Sequence, residues 1–486
     1  MLKKISGAAM LALLLPVLTQ NCASDNTIQW NDGEGHRWAE LSVPRSGKAG
    51  FKQLSESDLG ITFSNNVTKD QIINNRVVLN GSGVAVGDVD GDGLADLYFC
   101  RLNGPNVLYK NLGHWKFEDI TDSAGVACPG QFSTGSALAD LDGDADLDLL
   151  VTSVEGPNAC FINDGRGKFT EITDAAGISS ETGASTMALA DIDGDGDLDL
   201  YVANYKKKSA KDMWEPGELL FDFVVERVGD SYRIAPKYQE HFVLDVRDKW
   251  VLFFETGEPD MLFLNDGKGR FEKVSFTDGR FLNEDGRSES ELKDWGLTVR
   301  FQDMDDDGDP DIYVCNDFES PDRIWINDGQ GHFRAMPKLA LRTTSNSSMA
   351  IDFSDIDRDG DQDFLVLDML SRHHRKRMTQ KNTEVMLPNP IGEIDNRPQY
   401  MRNTLFLNRG DDTYSEIGQF SGIQASGWSW SPLFVDVDLD GYEDVIVATG
   451  HYYDAQDQDA MMRAGSRIRM SAMAATIAEQ SSIKPA

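Results

Sequence analysis

The stretch Asp191-Ile192-Asp193-Gly194-Asp195-Gly196-Asp197-Leu198-Asp199 puts acids at positions 1, 3, 5 and 9 and glycine at position 6, and the apolar run Leu200-Tyr201-Val202-Ala203-Asn204 follows directly. The same pattern starts again at Asp88, Asp140, Asp303, Asp355 and Asp436, so the chain carries six copies. Internal repetition decides the fold before any single element does.

The chemistry follows from the spacing. Carboxylates at 1, 3 and 5 of a tight loop converge on one point, a glycine at 6 allows the sharp turn, and an acid at 9 closes the shell. An all-oxygen set with several carboxylates suits calcium, which takes six to eight oxygens in a flexible shell; magnesium holds few protein ligands in strict octahedral geometry. No thiolate or imidazole lies within the loops, which argues against zinc and copper. The expected ligands are Asp88, Asp90, Asp92 and Asp96; Asp140, Asp142, Asp144 and Asp148; Asp191, Asp193, Asp195 and Asp199; Asp303, Asp305, Asp307 and Asp311; Asp355, Asp357, Asp359 and Asp363; and Asp436, Asp438, Asp440 and Asp444. That gives up to about six calcium ions. An isolated copy would read equally well as an acidic turn, since Asp-Gly is common between strands. Six copies with the same four acidic positions leave little room for that reading. The second copy has Ala145 where the others have glycine, and it is expected to be the weakest site.

A second motif accompanies the loops. Phe161-Ile162-Asn163-Asp164-Gly165-Arg166-Gly167-Lys168-Phe169 reads as two strands around a hairpin turn, with Asn and Gly supplying positive φ, and related copies begin at Asn111, Asn265, Asn327 and Asn408. Loop starts lie 52, 51, 112, 52 and 81 residues apart. A unit of about 52 residues made of short strands and turns is the signature of a propeller blade of four strands. The expected fold is therefore an all-β propeller of seven blades, six of them carrying calcium loops.

The 112-residue gap holds residues 205–258, with strand-like pieces at Ser231–Ile234 and Val251–Phe254. It reads either as a blade that has lost its acidic loop, which makes the seventh, or as an insertion on one blade. Lys206-Lys207-Lys208 reads as a solvated loop. Residues 371–402 read as a second excursion; its basic run Arg372-His373-His374-Arg375-Lys376-Arg377 is either solvated or a contact for an acidic partner.

The expected organisation is a signal peptide at 1–22, a leader or closing strand at 23–50, the propeller at 51–455 and a tail at 456–486. Lys3 and Lys4 precede an apolar run from Ala8 to Leu18 that is too short to span a bilayer, which reads as an export signal. Cys22 could carry a lipid anchor, although Thr19-Gln20-Asn21 is a poor lipobox. These features place the protein in the periplasm, at the cell surface or outside the cell, and no later transmembrane span is expected. A helix is expected from Ala460 to Ala475. Cys100, Cys128, Cys160 and Cys315 read equally as disulfide partners or as buried single thiols.

The 486 residues carry 81 acidic against 46 basic side chains, a net charge of −35. That excludes nucleic acid as a partner, which needs a basic footprint. Six calcium ions would bring the net charge to about −23, so much of the acidity serves as ligand.

The paired loops and hairpins resemble the FG-GAP/VCBS repeat family, whose integrin α members form seven-bladed propellers with calcium in the blade loops. Trp428-Ser429-Trp430-Ser431-Pro432-Leu433-Phe434 resembles its bacterial cartilage-acidic-protein-like branch. The resemblance spans roughly residues 50–455 and implies calcium at the acids named above. It also implies a binding or adhesion module with a protein or glycan ligand. The alternative is an exported enzyme acting on polysaccharide at the central face of the propeller. None of the seven histidines sits in a zinc pattern, no nucleophile elbow occurs, and no catalytic residue is assigned.

Overall fold

The computed structural model describes residues 31–33, 37–39, 50–247, 250–318, 320–380, 397–451, 457, 459 and 463. The expected signal segment, Cys22 and all but Arg463 of the expected C-terminal helix lie outside them. The chain divides into two units, Met1–Gly50 and Phe51–Ala486. In the first, Asn31–Asp32 pairs antiparallel with Arg37–Trp38, a minimal hairpin.

The second unit is all-β and propeller-like. The first sheet runs Val84–Gly87, Asp96–Phe99, Val107–Asn111 and Phe117–Asp119, each strand antiparallel to the last. The same meander recurs from Ser133 to Glu171, from Ala184 to Val274, from Gly296 to Ala335 and from Ala350 to Glu416. The fourth sheet gains a fifth strand, Phe281–Leu282, parallel to its outer edge. A sixth sheet pairs Ser429–Val435 with Asp444–Thr449. The first strands of successive sheets pack side by side in chain order.

The hydrophobic core is divided into slabs between neighbouring sheets. Tyr98 and Leu108 of the first sheet meet Leu149 and Phe161 of the second. Leu150 and Cys160 meet Val202 and Phe263. Tyr201 and Leu262 meet Ile312 and Trp325, and Tyr313 and Ile324 meet Phe364 and Phe406. Covered on both faces, the second strand of the second to fifth sheets is buried throughout, as in Asp148–Ser153 and Asp199–Asn204. This accounts for the unbroken apolar runs after each acidic loop.

The stretch 205–258 is an insertion, not a blade that has lost its loop. Asp199–Asn204 pairs directly with Met261–Asn265, completing the third sheet across the gap. The inserted strands form two separate hairpins, Val225–Val228 with Ser231–Ile234 and Phe242–Arg247 with Trp250–Glu255. They share a small core around Val224, Tyr238 and Phe242. The strand-like pieces Ser231–Ile234 and Val251–Phe254 both fall in strands of these hairpins. The seventh blade expected at this place is therefore absent, and the described residues of the second unit hold six sheets at the repeat positions.

Residues 371–402 leave the fifth sheet at the same relative place, between its second and third strands, and include the exposed one-turn helix His374–Thr379. Lys206 departs from the solvated-loop reading. It is 2% exposed; its ammonium pairs with Glu255 and lies over the Trp295 ring. The four cysteines Cys100, Cys128, Cys160 and Cys315 are buried, unbridged thiols.

Candidate metal centres

Each acidic loop joins the first and second strands of its sheet. The position-1 carboxylate turns back onto the loop's own amides. Asp191 Oδ1 accepts from the N–H groups of Gly194 and Asp195 at 2.8 and 3.1 Å, and its Oδ2 accepts from Gly196 at 3.0 Å. Position 5 accepts from the amide two residues on, as Asp195 does from Asp197 at 2.9 Å. Position 9 closes the loop: Asp199 Oδ2 accepts from the Ile192 amide at 3.2 Å. These contacts fix the carboxylates of positions 1 and 9 facing the loop interior, where that of position 3 joins them.

In the first four loops those three acids bring one oxygen each to within 4.8 Å of one another: Asp88, Asp90 and Asp96; Asp140, Asp142 and Asp148; Asp191, Asp193 and Asp199; Asp303, Asp305 and Asp311. The fifth gathers Asp355, Asp357 and Asp359. Asp92, Asp144, Asp195 and Asp307 stand at the loop rims, holding the amides of position 7. Asp363 and Asp444 occupy position 9 of the last two loops, and Asp436, Asp438 and Asp440 complete the sixth.

The donor set fits a hard cation. Oδ1 of the position-3 acid is buried and without a hydrogen-bond partner in four loops, at Asp90, Asp142, Asp193 and Asp305. A buried oxygen with free lone pairs beside two further carboxylates is costly unless a cation takes it. Burial, and secondly the neighbouring acids, pushes Asp142, Asp193 and Asp305 toward the protonated form. Burial raises Asp199 to about 7, Asp311 to about 8, and Asp148 and Asp363 to about 6. Burial with the charges of Asp307 and Asp303 raises Asp305 to about 6.

The copies differ in ways only partly visible in the sequence. Ala145 adopts φ 72°, the left-handed value its glycine counterparts take, yet its loop keeps the same convergence. Position 4 is left-handed as well: glycine supplies it at Gly91, Gly143 and Gly194, but Asp306, Arg358 and Leu439 must adopt it in the later loops. Asp444 is exposed where the other five position-9 acids are buried, because no third strand covers the sixth sheet among the described residues. Among the described residues, the first loop alone pairs with a lysine: the Lys110 ammonium pairs with Asp90 and, at 2.8 Å, with Asp92.

The hairpin motif is wired into the loops. The backbone amides of Asn111, Asn163, Asn265, Asn327 and Asn408 donate to Oδ1 of the position-9 acid at 2.7 to 2.9 Å. Three of these asparagines also reach the preceding sheet: the side chains of Asn163, Asn265 and Asn327 donate to the position-2 carbonyls of Val89, Leu141 and Ile192. The loops starting at Asp88, Asp140 and Asp191 are thus each clasped by the next hairpin. The expected positive φ at these asparagines is not found; the turn glycines carry it, as Gly165 does at 70° and Gly167 at 73°.

A third repeated device escaped the sequence reading. An Asn or Asp stands directly before the third strand of each complete sheet, at Asn106, Asn158, Asp260, Asp322 and Asn403. Its side-chain oxygen accepts the amide at the end of the second strand, as Asp260 does from Asn204 at 2.7 Å and Asp322 from Asn316 at 3.0 Å. The signal was a proline just before four of the five, at Pro105, Pro157, Pro259 and Pro321.

A model of the FG-GAP-like repeat matches residues 88–151, 140–202, 303–366 and 395–447, each match opening on or enclosing an acidic loop. The chain carries FG-GAP-like repeats. The chain is similar to cartilage acidic protein 1 of Xenopus tropicalis, 31% identical over 163 residues, which is 32% of this chain and 25% of that protein. The Mus musculus protein is 32% identical over 139 residues, 28% of this chain and 21% of that one. The match thus spans about a quarter or less of these relatives' length. Among solved structures, an Agrocybe aegerita lectin recognising non-reducing terminal N-acetylglucosamine aligns over 74% of this chain and 73% of its own, with TM-score 0.38 and 15% identity. The Vibrio cholerae biofilm matrix protein Bap1 aligns over 59% and 34%, with TM-score 0.29 and 14% identity. Among the described residues, no helix is long and apolar enough to cross a membrane.

Proposed function

We propose that the protein is an exported interaction module whose propeller-like body is held together by calcium in its acidic loops, and which binds a protein or glycan ligand. The observation that carries the calcium reading is the buried, unpartnered Oδ1 of Asp90, Asp142, Asp193 and Asp305, each beside two further carboxylates. Oxygen donors without nitrogen or sulfur select a hard cation, and the crowding of acids selects calcium over magnesium. Each ion would neutralise a loop whose acids otherwise repel one another as the chain compacts. The ions thus serve the fold. Export is supported by Lys3, Lys4 and the apolar run from Ala8 to Leu18, with Cys22 as the residue that would take a lipid.

The test is an ion count by mass spectrometry on the purified full chain, beside melting curves with calcium and with chelator. Several calcium ions per chain and a marked fall in melting temperature on chelation are expected. Superimposable curves with a count near zero would show that the loops are acidic turns. N-terminal sequencing of protein recovered from a Gram-negative host tests export, and retention of Met1 in a cytosolic product defeats it.

A further inference from the structure

The second strand of each sheet runs away from its acidic loop, so the segments after Leu367 and Thr449 and before Ser429 lie at the other end of the fifth and sixth sheets. They converge there on a cavity of about 280 Å³. Its wall carries Arg372, His373 and Lys376 from the basic run, Trp428 from the Trp-Ser-Trp-Ser stretch, His451 from the end of the last strand, and Asp457. Arg372, His373 and Lys376 are exposed, and among the described residues none of them makes an ion pair. In a chain of net charge −35, exposed basic groups that make no ion pair among the described residues are unusual, because acids are in large excess. Trp428 stacks on His451 with ring centroids 3.9 Å apart, and the buried Trp428 Nε1–H has no hydrogen-bond partner.

We infer that this cavity is a binding site for an acidic saccharide, a pyranose bearing a carboxylate or a sulfate ester. The inference deepens the interaction-module reading and rests on it. Arg372 and Lys376 supply charge-assisted donors for the anionic group. The Trp428–His451 pair offers aromatic surface to a sugar ring and an indole N–H to one of its oxygens. The volume admits about one or two sugar rings, at the small end of ligand cavities. The site lies away from the acidic loops, so its ligand and the calcium ions are separate matters.

The experiment is calorimetric titration of the full chain in calcium buffer with a galacturonate disaccharide, a sulfated disaccharide, lactose as the neutral sugar and inorganic phosphate. Binding of either acidic sugar, at least about tenfold tighter than lactose and phosphate and weakened by added salt, is expected. The tighter of the two identifies the anionic group. The double variant Arg372→Ala/Lys376→Ala should lose at least about tenfold in affinity at an unchanged melting temperature, since both side chains are exposed. Lys376→Glu, which adds a repelling charge, should lose more. Equal binding of lactose, phosphate binding as tight as the sugars, unchanged affinity in the variants, or no binding of either acidic sugar would each overturn the inference. A protein or glycan-array ligand whose binding ignores both variants would remove this pocket and leave the interaction-module reading standing.

Discussion

The backbone N–H of Asn163 donates to Oδ1 of Asp148 at 2.8 Å, while the Asn163 side chain donates to the carbonyl of Val89 in the preceding loop. One residue thus ties its own acidic loop to the neighbour's. Asn163 is 5% exposed and Val89 is 1% exposed, so water cannot replace the side-chain bond. Asn163→Ala leaves the Val89 carbonyl unsatisfied and should cost about 1–3 kcal/mol in denaturant unfolding. It should also weaken ion binding at the loops starting at Asp88 and Asp140 together. An ion count unchanged from the parent would contradict the second part.

The loops should contribute unequally. A ligand that binds only the folded loop stabilises by about 2.7 kcal/mol at a hundredfold excess over Kd. Asp193→Ala should therefore remove one ion and lower the melting temperature in calcium. Asp438→Ala should do little, because its loop's closing acid, Asp444, is exposed and, among the described residues, receives no third-strand amide like the one Asn265 gives Asp199. Equal falls in melting temperature for the two variants would refute this ranking.

Strain at Ala145 offers a separate test. At φ 72° its Cβ is disfavoured, and glycine takes that conformation without penalty. Ala145→Gly should raise stability in calcium by about 1 kcal/mol and tighten ion binding at the second loop. A destabilised variant would mean that the unfolded-state entropy of the new glycine dominates.

What the sequence displayed and what it hid follow one physical division. Local geometry was legible: the spacing of Asp191, Asp193, Asp195 and Asp199 determines a loop, and Ala145 correctly marked a left-handed position. Pairing across long gaps was not. Nothing within 205–258 states that Asn204 and Met261 flank a single break in one sheet, since that depends on the edge Asp199–Asn204 offers to Met261–Asn265. Lys206 sits in a run of three lysines that looks solvated, and only the partner Glu255, far along the chain, makes its burial tolerable. The acids at Asp260 and Asp322 were overlooked because they stand outside the repeat whose chemistry was conspicuous.

Those two acids set a pH dependence. Burial raises Asp260 to about 7 and Asp322 to about 6, above the ordinary value of 3.8. Each binds its proton more tightly in the folded state than in the unfolded chain. Below about pH 4 both states are protonated and the groups cost nothing; as pH rises toward 7 the unfolded state is favoured. Asp260→Asn places there the residue type that Asn106, Asn158 and Asn403 already supply at the same register. Relative to the parent, this variant should gain on the order of 1–3 kcal/mol between pH 5 and 8, measured by denaturant unfolding at fixed calcium. A stability difference that stays flat over that range would show that Asp260 does not titrate within it.

The last prediction concerns Lys110. The residue before the hairpin asparagine is Ile162, Leu264, Ile326 or Leu407 in the other complete sheets, and only the first has a lysine there. Its ammonium sits against Asp90 and Asp92, where a bound cation would otherwise balance them. Side-chain exposures of 25%, 17% and 33% for Lys110, Asp90 and Asp92 leave the pair partly screened, so its loss should cost about 1 kcal/mol in chelator. In calcium the balance reverses. Lys110→Leu removes a charge that opposes the ion, and affinity at the first loop should rise several-fold. The variant should therefore melt below the parent in chelator and show a larger gain on adding calcium. Paired melting curves over a calcium titration read both effects at once. Identical calcium responses in variant and parent would show that Lys110 does not compete for the first loop.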